Sequence, residues 1–146
     1  MSNSALPNLD RLAAQRAQQI IERLIDRDKD NNKRTDSEEI KKVASAVDNT
    51  VTKTLGVLQE NGVYACFLYL LAKEGENGNV VVEEMLNLLD GLGFGWGKPE
   101  NNSPEKVLNY ITEKVTDTEH LERLLLAKET LEQMLIYARY GAKARG

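Results

Sequence analysis

At 146 residues the chain is long enough for one domain with a real core, and 41% apolar with 29% charged residues suits a soluble, well-charged protein. Aromatics at 5% and only three prolines argue against a β-sandwich or barrel. A net charge of −4 and a pI near 5.1 argue against a free-standing basic nucleic-acid binder, although local basic patches remain compatible with them.

The first helix is expected from about Asn8 to Arg27, because Leu9, Leu12, Ala13, Ile20, Ile21, Leu24 and Ile25 recur at three- and four-residue steps. Asn8 or Asp10 supplies its start signal. The run Asp26–Arg34 contains no apolar residue and reads as a loop. Thr35-x-x-Glu38 and Asp36-x-x-Glu39 are overlapping capping boxes, so a second helix starts near Ser37. Ile40, Val43, Ala44, Val47, Val51, Leu55 and Leu58 form its apolar face, and the weak helix formers Asn49–Thr52 are expected to split it. Asn61-Gly62 ends it, since glycine tolerates the left-handed geometry of a helix terminus.

Val63–Lys73 is apolar on nearly every face and is expected to be a central helix packed on all sides. Gly75–Asn79 reads as a turn, and Val80–Leu92 as a helix with Val82, Met85, Leu86, Leu89 and Leu92 inward. A glycine-rich loop, Gly91–Pro99, carries Phe94 and Trp96, which either fold back on the core or meet a partner. Ser103-Pro104 is an N-cap and first-turn pair for a helix using Val107, Leu108, Ile111 and Val115. Asp117 or Thr118 caps a long final helix whose inward stripe is expected to be Leu121, Leu124, Leu125, Leu131, Met134, Leu135 and Ala138. The fold class is therefore all-α, a single-domain bundle of about six helices over residues 1–146.

Cys66 lies inside the apolar run, has no partner for a disulfide and reads as a buried, inert thiol suited to a reducing cytoplasm. The N-terminus shows neither a basic segment nor an apolar signal core, and no apolar run approaches a membrane span, so a cytoplasmic location is expected.

Catalytic signatures are missing from the pattern. His120 is the only histidine, and it falls in a first helical turn among Asp117, Glu119 and Glu122 as a surface residue. The glycine-rich stretch departs from a phosphate loop, with Leu92 where the first glycine belongs and Pro99 after Lys98. A calcium-loop template fits Asp28, Asp30, Asn32, Asp36 and Glu39, but places Lys33 where the turn needs glycine. The reading favoured there is a solvated connection, with a calcium-binding helix–loop–helix over Asp28–Glu39 as the alternative. No cofactor, resident metal or enzymatic activity is expected.

Basic residues offer another kind of site. Gln133–Gly146 contains no acid but carries Arg139, Lys143 and Arg145, and Arg139 and Lys143 share a helical face with Tyr140 beside them. Such a surface can hold a nucleic-acid backbone and stack on a base, or simply complement the helix dipole. Arg16, Arg23 and Arg27 on the first helix and Lys41, Lys42 and Lys53 on the second add further cations.

Three segments resemble one family. They are Gln15-Arg16-Ala17 with Ile20 and Ile21, then Leu55–Lys73 with its helix, Asn-Gly break and apolar helix, then Tyr137–Ala144 with its aromatic, Arg and Ala-Lys-Ala run. In order, spacing and total length they resemble the small helical subunit of the Cmr-type (type III-B) CRISPR RNA-guided effector complex. The resemblance implies a non-catalytic subunit of antiviral defence that stacks along the guide and target RNA beside the other effector subunits. It implies RNA contacts at Arg16, Lys41, Lys42, Arg139 and Lys143. A protein-interaction bundle without nucleic acid is the other alternative.

Overall fold

Polar side chains set the helix starts. Asn8 accepts from the Arg11 amide at 3.0 Å and opens α1, Leu9–Ile21. The helix continues into a wider turn, Glu22–Asp26, closed by the Arg27 amide donating to the Glu22 carbonyl at 3.0 Å. That turn keeps Leu24 and Ile25 buried. The computed structural model describes residues 7–73 and 75–146. Asp36 accepts from the Glu38 amide at 3.0 Å and caps α2, Ser37–Asn61. The remaining helices are α3, Val63–Lys73; α4, Gly75–Asp90; α5, Pro104–Tyr110; and α6, Leu121–Arg145. Six α-helices and no strand among the described residues make this an all-α bundle. No described helix is long and apolar enough to cross a membrane.

Several local expectations are corrected by packing. Helix α2 is unbroken through Asn49–Thr52, because Val47, Thr50, Val51 and Thr54 are all buried. Its hydroxyls are also absorbed locally: Thr54 donates to the Thr50 carbonyl at 2.7 Å, and Thr52 to Asp48 at 3.0 Å. Helix α3 is not covered on all sides; Val63, Cys66, Phe67 and Leu70 are buried, whereas Tyr64, Leu68 and Ala72 form an exposed stripe. The expected turn at Gly75–Asn79 is instead the start of α4, where Gly78 is buried.

Between α2 and α3 stands Gly62, at φ 94° and ψ −177°, a region open essentially to glycine alone. A Cβ there would meet nothing within 4 Å, so only the backbone resists substitution. Gly62→Ala is expected to cost about 1–3 kcal/mol by chemical denaturation. An unchanged midpoint would show that the α2–α3 junction relaxes freely.

The glycine-rich loop folds back on the body. Leu92 and Trp96 are buried, the Phe94 and Trp96 rings meet edge to face at 5.0 Å, and Tyr110 donates to the Gly97 carbonyl at 2.8 Å. Ser103 accepts from the Lys106 amide at 3.4 Å, with Pro104 in the first turn of α5. Asp117 caps a short 3₁₀ turn, Thr118–His120, that leads into α6.

Helix α6 is the axis of the bundle. It runs alongside α1 in the same direction, from Leu126 beside Leu9 to Arg145 on Asp26. Close approach is made possible by Gly141, where a Cβ would lie 2.9 Å from Ile21 Cγ1. Against α2 it runs the opposite way, with Lys143 Nζ 3.2 Å from Asp48 and Gly146 beside Ala44. Ala127, Leu131, Met134, Leu135, Ala138 and Ala142 fill the core. The expected stripe is wrong at its start: Leu121 and Leu125 are 56% and 54% exposed. Helix α1 begins beside Leu126, so its apolar face does not run on to the first turn of α6.

Candidate nucleic-acid interface

The antiparallel packing of α6 on α2 brings the last turn of α6 to the first turns of α2. Lys41 and Lys42 are exposed there and carry no ion pair among the described residues. Lys143 is half exposed and shared with Asp48. One turn earlier on α6, Tyr140 is 63% exposed. Arg139 is half-buried, and its Nε is buried without a hydrogen-bond partner among the described residues. Four of the five cations singled out by sequence therefore lie on the two helix ends that meet at one pole of the bundle. Acids share this pole, and several are already engaged: Asp26 takes Arg145 through two bonds of 2.8 and 3.0 Å, and Glu39 takes Arg34.

Arg16 lies elsewhere. Its guanidinium donates at 2.9 Å to Glu84, which is only 3% exposed. Arg23 donates to the other Glu84 oxygen at 2.7 Å and to Glu83 at 2.5 Å, and Asn87 adds a bond of 3.2 Å to Glu84. Burial strips hydration from Arg23, yet Glu83 and Glu84 more than offset this and hold its pKa above the ordinary value. This α1–α4 clamp has no sequence signature, since Glu84 stands 68 residues from Arg16. The only hint is a glutamate inside an apolar stretch, among Val82, Met85 and Leu86.

The acidic loop uses its carboxylates internally. Asp28 Oδ1 accepts the amides of Asp30 and Asn32, each at 2.9 Å, and Glu39 is held by Arg34. The positive φ of this loop falls at Asn31 (68°), two residues before Lys33, which stands where the calcium template needs glycine. Positions one and twelve of that template thus already have partners within the chain. Asp117, Glu119 and His120 bring ligand atoms within 4.8 Å of one another, with His120 Nδ1 3.0 Å from Asp117. The Asp117 carboxyl is held below its ordinary range, first by the Glu119 amide and then by His120, the pattern of a helix cap.

Cys66 is buried, with its thiol 3.8 Å from the Thr54 carbonyl, and burial pushes its pKa from 9.0 to about 12. The neutral thiol is thus favoured by the folded state, and the stability it supports is complete below pH 9. It is lost as pH rises from 9 toward 12, because the unfolded chain ionises first. The expected slope is about 1.4 kcal/mol per pH unit in that window. Cys66→Ala should show a shallower alkaline dependence of its denaturation midpoint, the remainder coming from Tyr110, whose hydroxyl is also pushed up to about 12 by burial; equal slopes for the two proteins would refute the assignment.

No protein-family model matches the chain, and no curated protein or solved structure matches it.

Proposed function

We propose that the chain is the non-catalytic small subunit of a Cmr-type (type III-B) CRISPR RNA-guided complex, acting in the cytoplasm with other effector subunits, guide RNA and target RNA. The resemblance of the three quoted segments supplies the family. The observation that carries the RNA reading is the pole where exposed Lys41 and Lys42 meet Lys143 and the exposed Tyr140. Lysines there neutralise phosphates and release counterions, and the Tyr140 ring offers a face for a base. Arg139 backs this surface. Arg16, bound to Glu84, positions α1 on α4 and contributes to RNA contact only indirectly.

The test is single-stranded RNA binding at several salt concentrations. Lys41→Glu/Lys42→Glu is expected to lower the salt slope by about 1.4, two contacts at roughly 0.7 each. Both side chains are exposed, so the helical signal should remain native. An unchanged affinity and slope would remove the lysines from the interface.

A further inference from the structure

The opposite end of α6 carries a surface that the RNA reading leaves unused. Leu121 and Leu125 are more than half exposed, and Leu126 is 36% exposed. Such a run of leucines on one helix, open to water, is unfavourable unless something covers it. Glu122 and Glu129 are exposed on the same side of the helix, at three- and four-residue steps from Leu125 and Leu126. Neither has an ion pair among the described residues. Beside Leu126 a groove of about 220 Å³ opens between α6 and α1, lined by Leu9, Asp10, Leu126, Glu129, Thr130 and Gln133. One Asp10 oxygen already accepts the Tyr137 hydroxyl, and the other is not used by that bond.

Apolar side chains, an adjacent slot and carboxylates along the rim together define the partner by complementarity. We infer that this face docks a basic amphipathic helix of a partner protein. An apolar side chain of the partner would enter the Leu9–Leu126 groove, others would cover Leu121 and Leu125, and its lysines or arginines would meet Asp10, Glu122 and Glu129. A second copy of this chain is the poorer occupant. The face is acidic on balance, with Asp10, Glu122 and Glu129 against Lys128, so two copies would bring together surfaces of the same net sign, whereas a basic helix meets the opposite one. The inference does not rest on RNA binding, which sits at the other end of the helix.

The test uses the full chain and two synthetic amphipathic helical peptides with the same leucine face, one with lysine and one with glutamate on the polar face. Binding followed by fluorescence anisotropy should detect the lysine peptide and not the glutamate peptide. Leu125→Asp, and separately Glu122→Lys/Glu129→Lys, should each weaken it by about tenfold or more, as expected for central contacts of an interface. Lys41→Glu/Lys42→Glu should leave peptide binding unchanged, which separates failure of this face from failure of the RNA pole. Circular dichroism should show native helicity in each variant, since all these side chains are exposed. Equal binding of both peptides, or of wild type and both face variants, would overturn the proposal. So would concentration-dependent dimerisation of the chain alone that Leu125→Asp abolishes, because the occupant would then be a second copy.

Discussion

Glu84→Gln is expected to destabilise the bundle by about 3 kcal/mol, toward the lower end of the cost of breaking a buried ion pair. The carboxylate is 3% exposed and receives Arg16, Arg23 and Asn87. Removing its charge leaves two guanidinium groups without their shared counter-ion at the α1–α4 contact. Arg16 and Arg23 retain 27% and 35% side-chain exposure, so water partly re-solvates them and the upper end of the range is not reached. The network itself need not be a net source of stability. Arg16→Met/Arg23→Met/Glu84→Leu should recover much of the loss, because an apolar replacement of a buried ionic cluster is often neutral or better. Urea denaturation of the single and triple variants checks both. A glutamine variant as stable as wild type would mean that the clamp is not formed in solution.

Phe67→Ala should cost about 3–5 kcal/mol, the other large effect. Phe67 has no exposed surface and lies on the inward side of α3, the helix that links α2, α4 and α5. Truncation removes the transfer free energy of the ring and leaves a cavity that rigid helices close only in part. Leu125→Ala is the matched contrast: a large apolar residue removed from α6, but one already 54% exposed. Its effect on stability should stay within about 0.5 kcal/mol, as for other surface positions. If Leu125→Ala proved as damaging as Phe67→Ala, the start of α6 would be buried in the isolated chain, and the docking face would not exist.

Helix existence was legible because its signals are local. Asn8, Asp36, Ser103 and Asp117 each accept a backbone amide at a helix start, and a side chain of that type in that place is readable from sequence. Gly62 was readable for the same reason, since its φ of 94° is a property of one residue. What failed was non-local. The continuity of α2 through Asn49–Thr52 depends on burial of Thr50 and Thr54 by other helices, and no propensity scale contains that. The outward turn of Leu121 and Leu125 depends on where α1 starts, far away in sequence. Leucine spacing gives a face but not the length of the element that covers it.

The candidate site divides along the same line. Arg139 and Lys143 were paired by spacing alone, and Lys41 and Lys42 by adjacency, because helix geometry fixes such neighbours. That the two sets share a pole follows from the antiparallel packing of α2 and α6, seen in the Lys143–Asp48 bond. Arg16 carries the same charge in the sequence, yet in the fold it is paired with the buried Glu84. Charge is readable from one chain; whether a carboxylate already neutralises it is a tertiary fact.

The most direct measurement is a tagged pull-down from the native host, with proteins identified by mass spectrometry and RNA by sequencing, repeated with Lys41→Glu/Lys42→Glu. Wild type should recover CRISPR effector subunits together with guide RNA carrying repeat-derived sequence, and the lysine variant should recover less RNA relative to protein. Recovery of neither effector subunits nor guide RNA by the wild-type chain would contradict the assignment.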